Sequence, residues 1–179
     1  RTREQTDADE ATLQARNDAR VMGGGGGGNR GGEHALVWYG ADLAGGTLLE
    51  FSGFAGAMGQ HSPNEWFDRI AAGLTVICNH EGSAWAMGQE RGDQRQHQHC
   101  QFIIRLVTTV HYMAKLRHYI RRCIGVLHGD NQRCKVSVQL FSNQTWTRML
   151  GYCQKDQGQP HYRFAKHGVS DEEAAAGID

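Results

Sequence analysis

The feature that most constrains this fold is a pair of adjacent strand-like stretches, Trp85–Glu90 and His97–Leu106, separated by a short polar segment. In the second stretch, Cys100, Phe102, Ile104 and Leu106 alternate with His97, His99, Gln101, Ile103 and Arg105. Side chains on a strand point alternately to opposite faces, so the first set makes an apolar face and the second a mostly polar one. The segment Arg91-Gly-Asp-Gln-Arg-Gln96 reads as a hairpin loop with its turn at Gly92-Asp93, because Gly and Asp punctuate turns. Such a hairpin returns Glu90 towards His97 and His99. Successive same-face positions lie about 7 Å apart, which sets two imidazoles and a carboxamide in a row. A carboxylate with imidazoles and an amide oxygen suits a divalent cation such as Mg²⁺ or Mn²⁺. The chain has ten histidines, so a close pair on a solvent-facing strand also arises with no ligand attached.

Around this pair the remaining elements fall into order. Thr47–Ala55 reads as the first core strand, and Ala35–Tyr39 as a short strand or lead-in. Ser62-Pro63 with Glu65 has the signature of a helix start, a capping hydroxyl followed by proline in the first turn. Trp66, Ile70, Leu74 and Ile77 then recur at helical spacing. After the strand pair, Thr108 or Thr109 caps a second helix with Met113, Leu116, Ile120 and Ile124 as its buried stripe and Gly125 as its stop. Lys135–Phe141 alternates as a strand, and Asn143 or Thr145 opens a third helix running through Trp146 to Lys155. Beyond Pro160 the chain reads as loop and a short acidic tail. The order strand, helix, strand, strand, helix, strand, helix predicts an α+β fold, ferredoxin-like (RRM-like). Its antiparallel sheet of about five strands carries helices on one face and leaves the other free for ligands.

Residues 1–33 are mixed-charge and glycine-rich, with six consecutive glycines from Gly23 to Gly28. They read as a flexible linker; a phosphate-binding loop needs a strand before it and a Lys-Ser/Thr helix start after it. The expected domain spans 34–165, with an acidic tail over 166–179. The first residue is Arg1 rather than Met, and the chain is expected to be a segment of a longer polypeptide. No signal peptide or membrane-spanning run is visible. Five cysteines without a CxxC pair argue against a disulfide framework or zinc ribbon and for buried thiols of a reducing, intracellular compartment.

Formal net charge is zero, so no global charge argument for a polyanion exists. Locally, Arg91 to Lys135 holds nine cations against Asp93 and Asp130, a net +7. Arg105, Lys115, Arg117, Arg121 and Arg122 belong to that run and are candidates for DNA phosphate contacts. A solvated helix surface is the competing reading.

In the third helix, Tyr152 and Lys155 are i and i+3 and share a face. A tyrosine at a helix end beside a metal site is a candidate nucleophile, although its phenol ordinarily ionises near pH 10. A divalent cation supplies electrophilic assistance, and Lys155 stabilises developing negative charge. Most helical tyrosines instead pack the ring and leave the hydroxyl in water.

The combination of Glu90, His99-Cys100-Gln101, a basic helix, a strand, and Tyr152-Cys153-Gln154-Lys155 resembles the HUH endonuclease superfamily. It is most similar to the replication initiators (Rep) of circular single-stranded DNA viruses and to eukaryotic transposons of the Replitron type. The resemblance covers roughly Thr47 to Asp156. Glu50-Phe-Ser-Gly-Phe-Ala55 is the nearest stretch to the family's first motif, by position only. For the metal motif, His99-Cys100-Gln101 has the apolar middle residue, whereas His97-Gln98-His99 has a polar one. Glu90, His99 and Gln101 are the favoured ligands, with His97 as a third or as a substitute for Gln101.

The resemblance implies a Mg²⁺- or Mn²⁺-dependent, single-tyrosine endonuclease and strand transferase acting on single-stranded DNA, including a hairpin or element terminus. Tyr152 is the implied nucleophile, forming a 5′-phosphotyrosine link in rolling-circle-type replication or transposition. A helicase domain in the full-length chain and, for a eukaryotic source, a nuclear location are further expectations. Two other classes remain: a non-catalytic single-stranded nucleic-acid-binding module of RRM-like fold, and a metal hydrolase that uses His97 and His99 without Tyr152.

Overall fold

The computed structural model describes residue 38 and residues 45–57, 64–91, 98–125 and 134–178. Its elements run β1 (Thr47–Ala57), α1 (Asn64–Ile77), β2 (Ala84–Arg91), β3 (Gln98–Thr108), a single 3₁₀ turn (Val110–Tyr112), α2 (Met113–Cys123), β4 (Cys134–Leu140), α3 (Trp146–Cys153), β5 (Phe164–His167) and α4 (Asp171–Ile178). The five strands form one sheet in the order β4-β1-β3-β2-β5, and every paired neighbour is antiparallel. The predicted α+β sheet with its central strand pair is therefore present, and β3 lies at its centre.

The alternation in β3 sets the layers. Cys100, Phe102, Ile104 and Leu106 pack with Phe51 and Ala55 of β1 and Trp85 and Met87 of β2, under the buried stripes of α1 and α2. In α1 that stripe is Trp66, Phe67, Ile70, Leu74 and Ile77, and in α2 it includes Leu116 and Ile120. Burying one such side chain is worth about 1.5–3 kcal/mol, so this face supplies most of the apolar driving force. The α2 stripe runs as expected except that Met113 is only half-buried. The chain leaves the helix at Gly125, whose φ of 75° is the left-handed conformation that favours glycine. The Ser62-Pro63 start of α1, the loop 92–97, the glycine-rich segment and most of 35–39 lie outside the described residues.

Two elements were not legible beforehand. Where the sequence reads as loop and acidic tail, β5 pairs with β2, Trp85 opposite His167 through Gly88 opposite Phe164, and α4 packs on α3. Together they change the second sheet face. Ala84, Ala86 and Ile103 of that face are covered by Trp146, Leu150 and Cys153 of α3 and by Val169 and Ala174. α1 and α2 share one face as expected, but the opposite face is open only in part.

The α3–α4 contact depends on two glycines. A Cβ on Gly151 would stand 2.0 Å from the carbonyl oxygen of Gly177, and a Cβ on Gly177 would stand 2.7 Å from the nitrogen of Gly151. The backbones touch there with no side chain between them.

Candidate functional site

Glu90 and His99 are directly opposite in the β2–β3 register, on the face that carries α3. Glu90 is a buried carboxylate, 2% exposed, and buried charge requires partners. It has two. His99 Nε2 contacts Glu90 Oε1, and Lys155 Nζ lies 3.2 Å from Glu90 Oε2. The second contact is an ion pair without a well-directed hydrogen bond, so Oε2 keeps an unused lone pair inside the protein. Gln101, two residues beyond His99 on the same face, is also buried.

A carboxylate oxygen with spare capacity, an imidazole nitrogen beside it and a carboxamide on the same strand fit a hard or borderline divalent cation. Among the described residues no three His, Cys, Asp or Glu side chains converge. Glu90 and His99 are the described pair, with Gln101 as an amide donor. His97 lies outside the described residues.

α3 brings the tyrosine to this point. Its start is fixed by Thr145, whose side chain accepts a hydrogen bond from Arg148 N at 3.2 Å, an N-cap as the sequence predicts. Its end is fixed against the sheet at Gly88, where an added Cβ would stand 1.6 Å from the carbonyl oxygen of Cys153. Each residue of the Tyr-Cys-Gln-Lys stretch then has a separate place. Tyr152 is 43% exposed. Cys153 is buried on the sheet; burial first, and then the Glu90 charge, push its thiol up out of the range where it ionises. Gln154 turns inward, and its Nε2 donates to the carbonyls of Leu150 (3.0 Å) and Ala174 (2.9 Å), which ties α3 to α4. Lys155 lies in the turn beyond Cys153, its Nζ 4.6 Å from the Tyr152 ring centre. Burial acts to lower the Lys155 pKa, but the Glu90 carboxylate and Tyr152 outweigh it and hold the ammonium above its ordinary value.

Asp156 is a site residue that the sequence did not reveal. Its Oδ2 accepts from Arg91 N at 2.8 Å and lies 2.6 Å from His161 Nε2. Burial favours the neutral acid, but the Arg91 and His161 hydrogen bonds and the His161 and Lys155 charges hold the carboxyl below the ordinary value. The bond to Arg91 N clips the turn after α3 onto the end of β2, one residue past Glu90. The available signal was weak: an Asp next to the predicted Lys155.

Beside Tyr152 a pocket of about 580 Å³ opens between sheet and helix. Its floor is Ser52 and Gln101; its walls include Gln144, Arg148, Met149 and Tyr152. Phe54 of β1 faces the same side, its ring 5.8 Å from that of His99, with Lys135 Nζ 5.7 Å above it.

The predicted basic residues divide. Arg105 shares this face, but Glu50 Oε2 accepts from its Nε (3.1 Å) and Nη2 (2.9 Å), and its guanidinium lies 4.3 Å over Trp146. Lys115, Arg117, Arg121 and Arg122 belong to α2, on the opposite side of the sheet from Glu90 and His99. Arg121 is buried there, in the interior rather than on a surface that a strand can reach, and Lys115 lies 4.3 Å over the Tyr112 ring. The structure brings together Glu90, His99, Tyr152 and Lys155, with Gln101 sharing a pocket with Tyr152. It does not bring the α2 cations to them.

Among models of known protein families, the Replitron HUH endonuclease domain matches residues 56–179, a stretch that includes β5 and α4. No curated protein matches the chain, and no solved structure does.

Proposed function

This chain belongs to the Replitron HUH endonuclease domain family, and on that premise we propose that it cuts and rejoins single-stranded DNA with Tyr152 as its single nucleophile. The observation that carries this reading is the continuous set of contacts from Tyr152 through Lys155 and Glu90 to His99. An exposed phenol, a cation, a buried acid and a half-buried imidazole meet at the end of one strand pair.

The chemistry follows from those positions. Tyr152 Oη attacks the scissile phosphorus. A phenolic O–P bond forms as the bond to the 3′-oxygen breaks, and the strand's 5′ end is left as a phosphotyrosine ester. The phenol proton passes to solvent, which Tyr152 reaches, and the departing 3′-oxygen takes up a proton to leave as a hydroxyl. Lys155 is protonated at neutral pH as an ordinary lysine is, and Glu90 and Tyr152, against the burial that lowers it, hold its pKa higher still. It therefore offsets negative charge on the phenolate and on the phosphoryl oxygens and does not act as a base. Glu90, His99 and Gln101 would hold Mg²⁺ or Mn²⁺, with His97 as an additional ligand or in place of Gln101. Such an ion supplies electrophilic polarisation of a phosphate oxygen. Attack by another 3′-hydroxyl on the phosphotyrosine reverses the step, frees Tyr152 and joins strands, as transposition or rolling-circle-type replication requires. The ester conserves the bond energy, so no nucleotide cofactor is needed.

The test is incubation with labelled single-stranded oligonucleotides and Mn²⁺, followed by denaturing electrophoresis. A labelled band that migrates with the protein, absent when EDTA is added, is the expected result. Cleavage that persists undiminished in EDTA removes the metal from the account, and cleavage with no protein-linked band removes Tyr152.

A further inference from the structure

The pocket beside Tyr152 is larger than an attacking phenol needs, and its chemistry is specific. At about 580 Å³ it falls within the range of about 300–1,000 Å³ usual for small-ligand sites, enough for one nucleoside. One wall is apolar, from Met149 and the Tyr152 ring, and suits the face of a base. The polar wall includes two side chains with donors to offer. Gln144 Oε1 already accepts from Ser142 N at 2.7 Å, which pins the side chain and leaves its Nε2 to donate. Arg148, also lining the pocket, has a guanidinium that only donates. Two donors lining one pocket match a base edge with two acceptors, and an arginine paired with O6 and N7 of guanine is the commonest such match.

We propose that this pocket takes one unstacked base of the DNA strand, next to the scissile phosphate, and that Gln144 and Arg148 select guanine there. The proposal rests on the nuclease reading only for its position: Tyr152 lines the pocket, so a base held in it brings its own phosphate to the hydroxyl. Extruding a single base from a flexible single strand costs little compared with extruding it from a duplex. The pocket thereby doubles as a positioning device, since a captured base fixes the register of the strand over Glu90 and His99.

The experiment uses a pool of fully randomised single-stranded oligonucleotides with the full chain and Mn²⁺. Sequencing the DNA left on the protein reads the base beside the cut. The same pool selected for binding on Tyr152→Phe reads base preference without any cleavage. The expected result is a preference for guanine of roughly five- to a hundredfold at one position next to the cut. It should be erased in Gln144→Ala/Arg148→Ala, with preferences at other positions retained. A covalent adduct whose guanine preference survives the double substitution, or a wild-type adduct with no preference beside the cut, overturns the proposal. A different base, erased by the same substitutions, overturns the guanine assignment. Guanine selected by Tyr152→Phe and lost with Gln144 and Arg148, while the wild type forms no adduct, upholds the pocket and removes the nuclease reading instead. Neither selection nor adduct overturns both.

Discussion

Replacing Gly88 by alanine tests whether the seating of α3 on the sheet places Tyr152. Gly88 lies under the end of α3, and a methyl group there would stand 1.6 Å from the carbonyl oxygen of Cys153 and 2.7 Å from its carbonyl carbon. Ordinary contact begins near 3.4 Å, so the two backbones must separate by about 1.8 Å. The obstacle is backbone on both sides, so no rotamer change relieves it. Gly88 is held in the sheet between β3 and β5, opposite Gln101 and Phe164, so α3 is the element that yields. Lys155, two residues past Cys153, would be carried from 3.2 Å of Glu90 Oε2 to as far as about 5 Å, beyond an effective ion pair. Overpacking of this kind costs about 1–3 kcal/mol, a fall in Tm of about 2–4 °C for each kcal/mol in a domain of this size. Displacement by about 1 Å of a group placed for reaction costs about a hundredfold in rate. In Gly88→Ala, single-turnover formation of the protein–DNA adduct should therefore drop at least about a hundredfold. Residue 88 is buried and makes no DNA contact of its own, and rates are compared at saturating single-stranded DNA. Circular dichroism establishes that the variant is folded before rates are compared. A folded Gly88→Ala protein that forms adduct at the wild-type rate would refute the claim that this contact positions the nucleophile.

Lys155→Ala should slow adduct formation without abolishing it, since its proposed role is electrostatic; its Tm should fall more in metal-free protein than with saturating Mn²⁺, because the buried Glu90 loses its cation. The raised Lys155 pKa means that its stabilising charge is fully present below the unfolded value of 10.5 and is lost only as pH rises through the higher folded value, so its part of the adduct rate should not decline between pH 7 and 10. His99→Ala should remove Mn²⁺ uptake measured by electron paramagnetic resonance in a protein that circular dichroism shows to be folded, since Lys155 still partners the buried Glu90. Asp156→Ala should lower the adduct rate by releasing the turn from Arg91 N. The stability that Asp156 adds is complete above its unfolded pKa of 3.8 and is lost as pH falls through the depressed folded value, so acid melting of wild type and variant should converge below that point.

Legibility followed the type of interaction. The β2–β3 pair was readable because alternation over Cys100–Leu106 is a property of neighbouring residues; it returned Glu90 towards His97 and His99, and the register that sets Glu90 opposite His99 came with the fold. The stop at Gly125 and an N-cap at one of Asn143 and Thr145 were readable for the same reason. β5 was not, since its four residues, Phe164 to His167, are half-buried or exposed and show no alternation of their own; pairing with β2 is what makes them a strand. α4 was not, since among its residues only Ala174 is buried and it docks through Gly151 and Gly177, with no apolar stripe to detect. The basic run was visible as composition, but composition does not say on which side of a sheet a helix lies. Lys115, Arg117, Arg121 and Arg122 read as candidates for phosphate contacts, and the fold puts them across the sheet from Glu90 and His99. Lys155 was found as Tyr152's companion, yet its main partner is Glu90, 65 residues earlier, a contact that no local pattern encodes.

The measurement that bears most directly on the central claim is mass spectrometry of the proteolysed protein–DNA adduct. The account predicts a single modified peptide, with the 5′-phosphate of the DNA on Tyr152, and no adduct from Tyr152→Phe under conditions where that protein still binds single-stranded DNA and Mn²⁺. Attachment to Tyr112, Tyr119 or Tyr162, or cleavage by Tyr152→Phe, would contradict it.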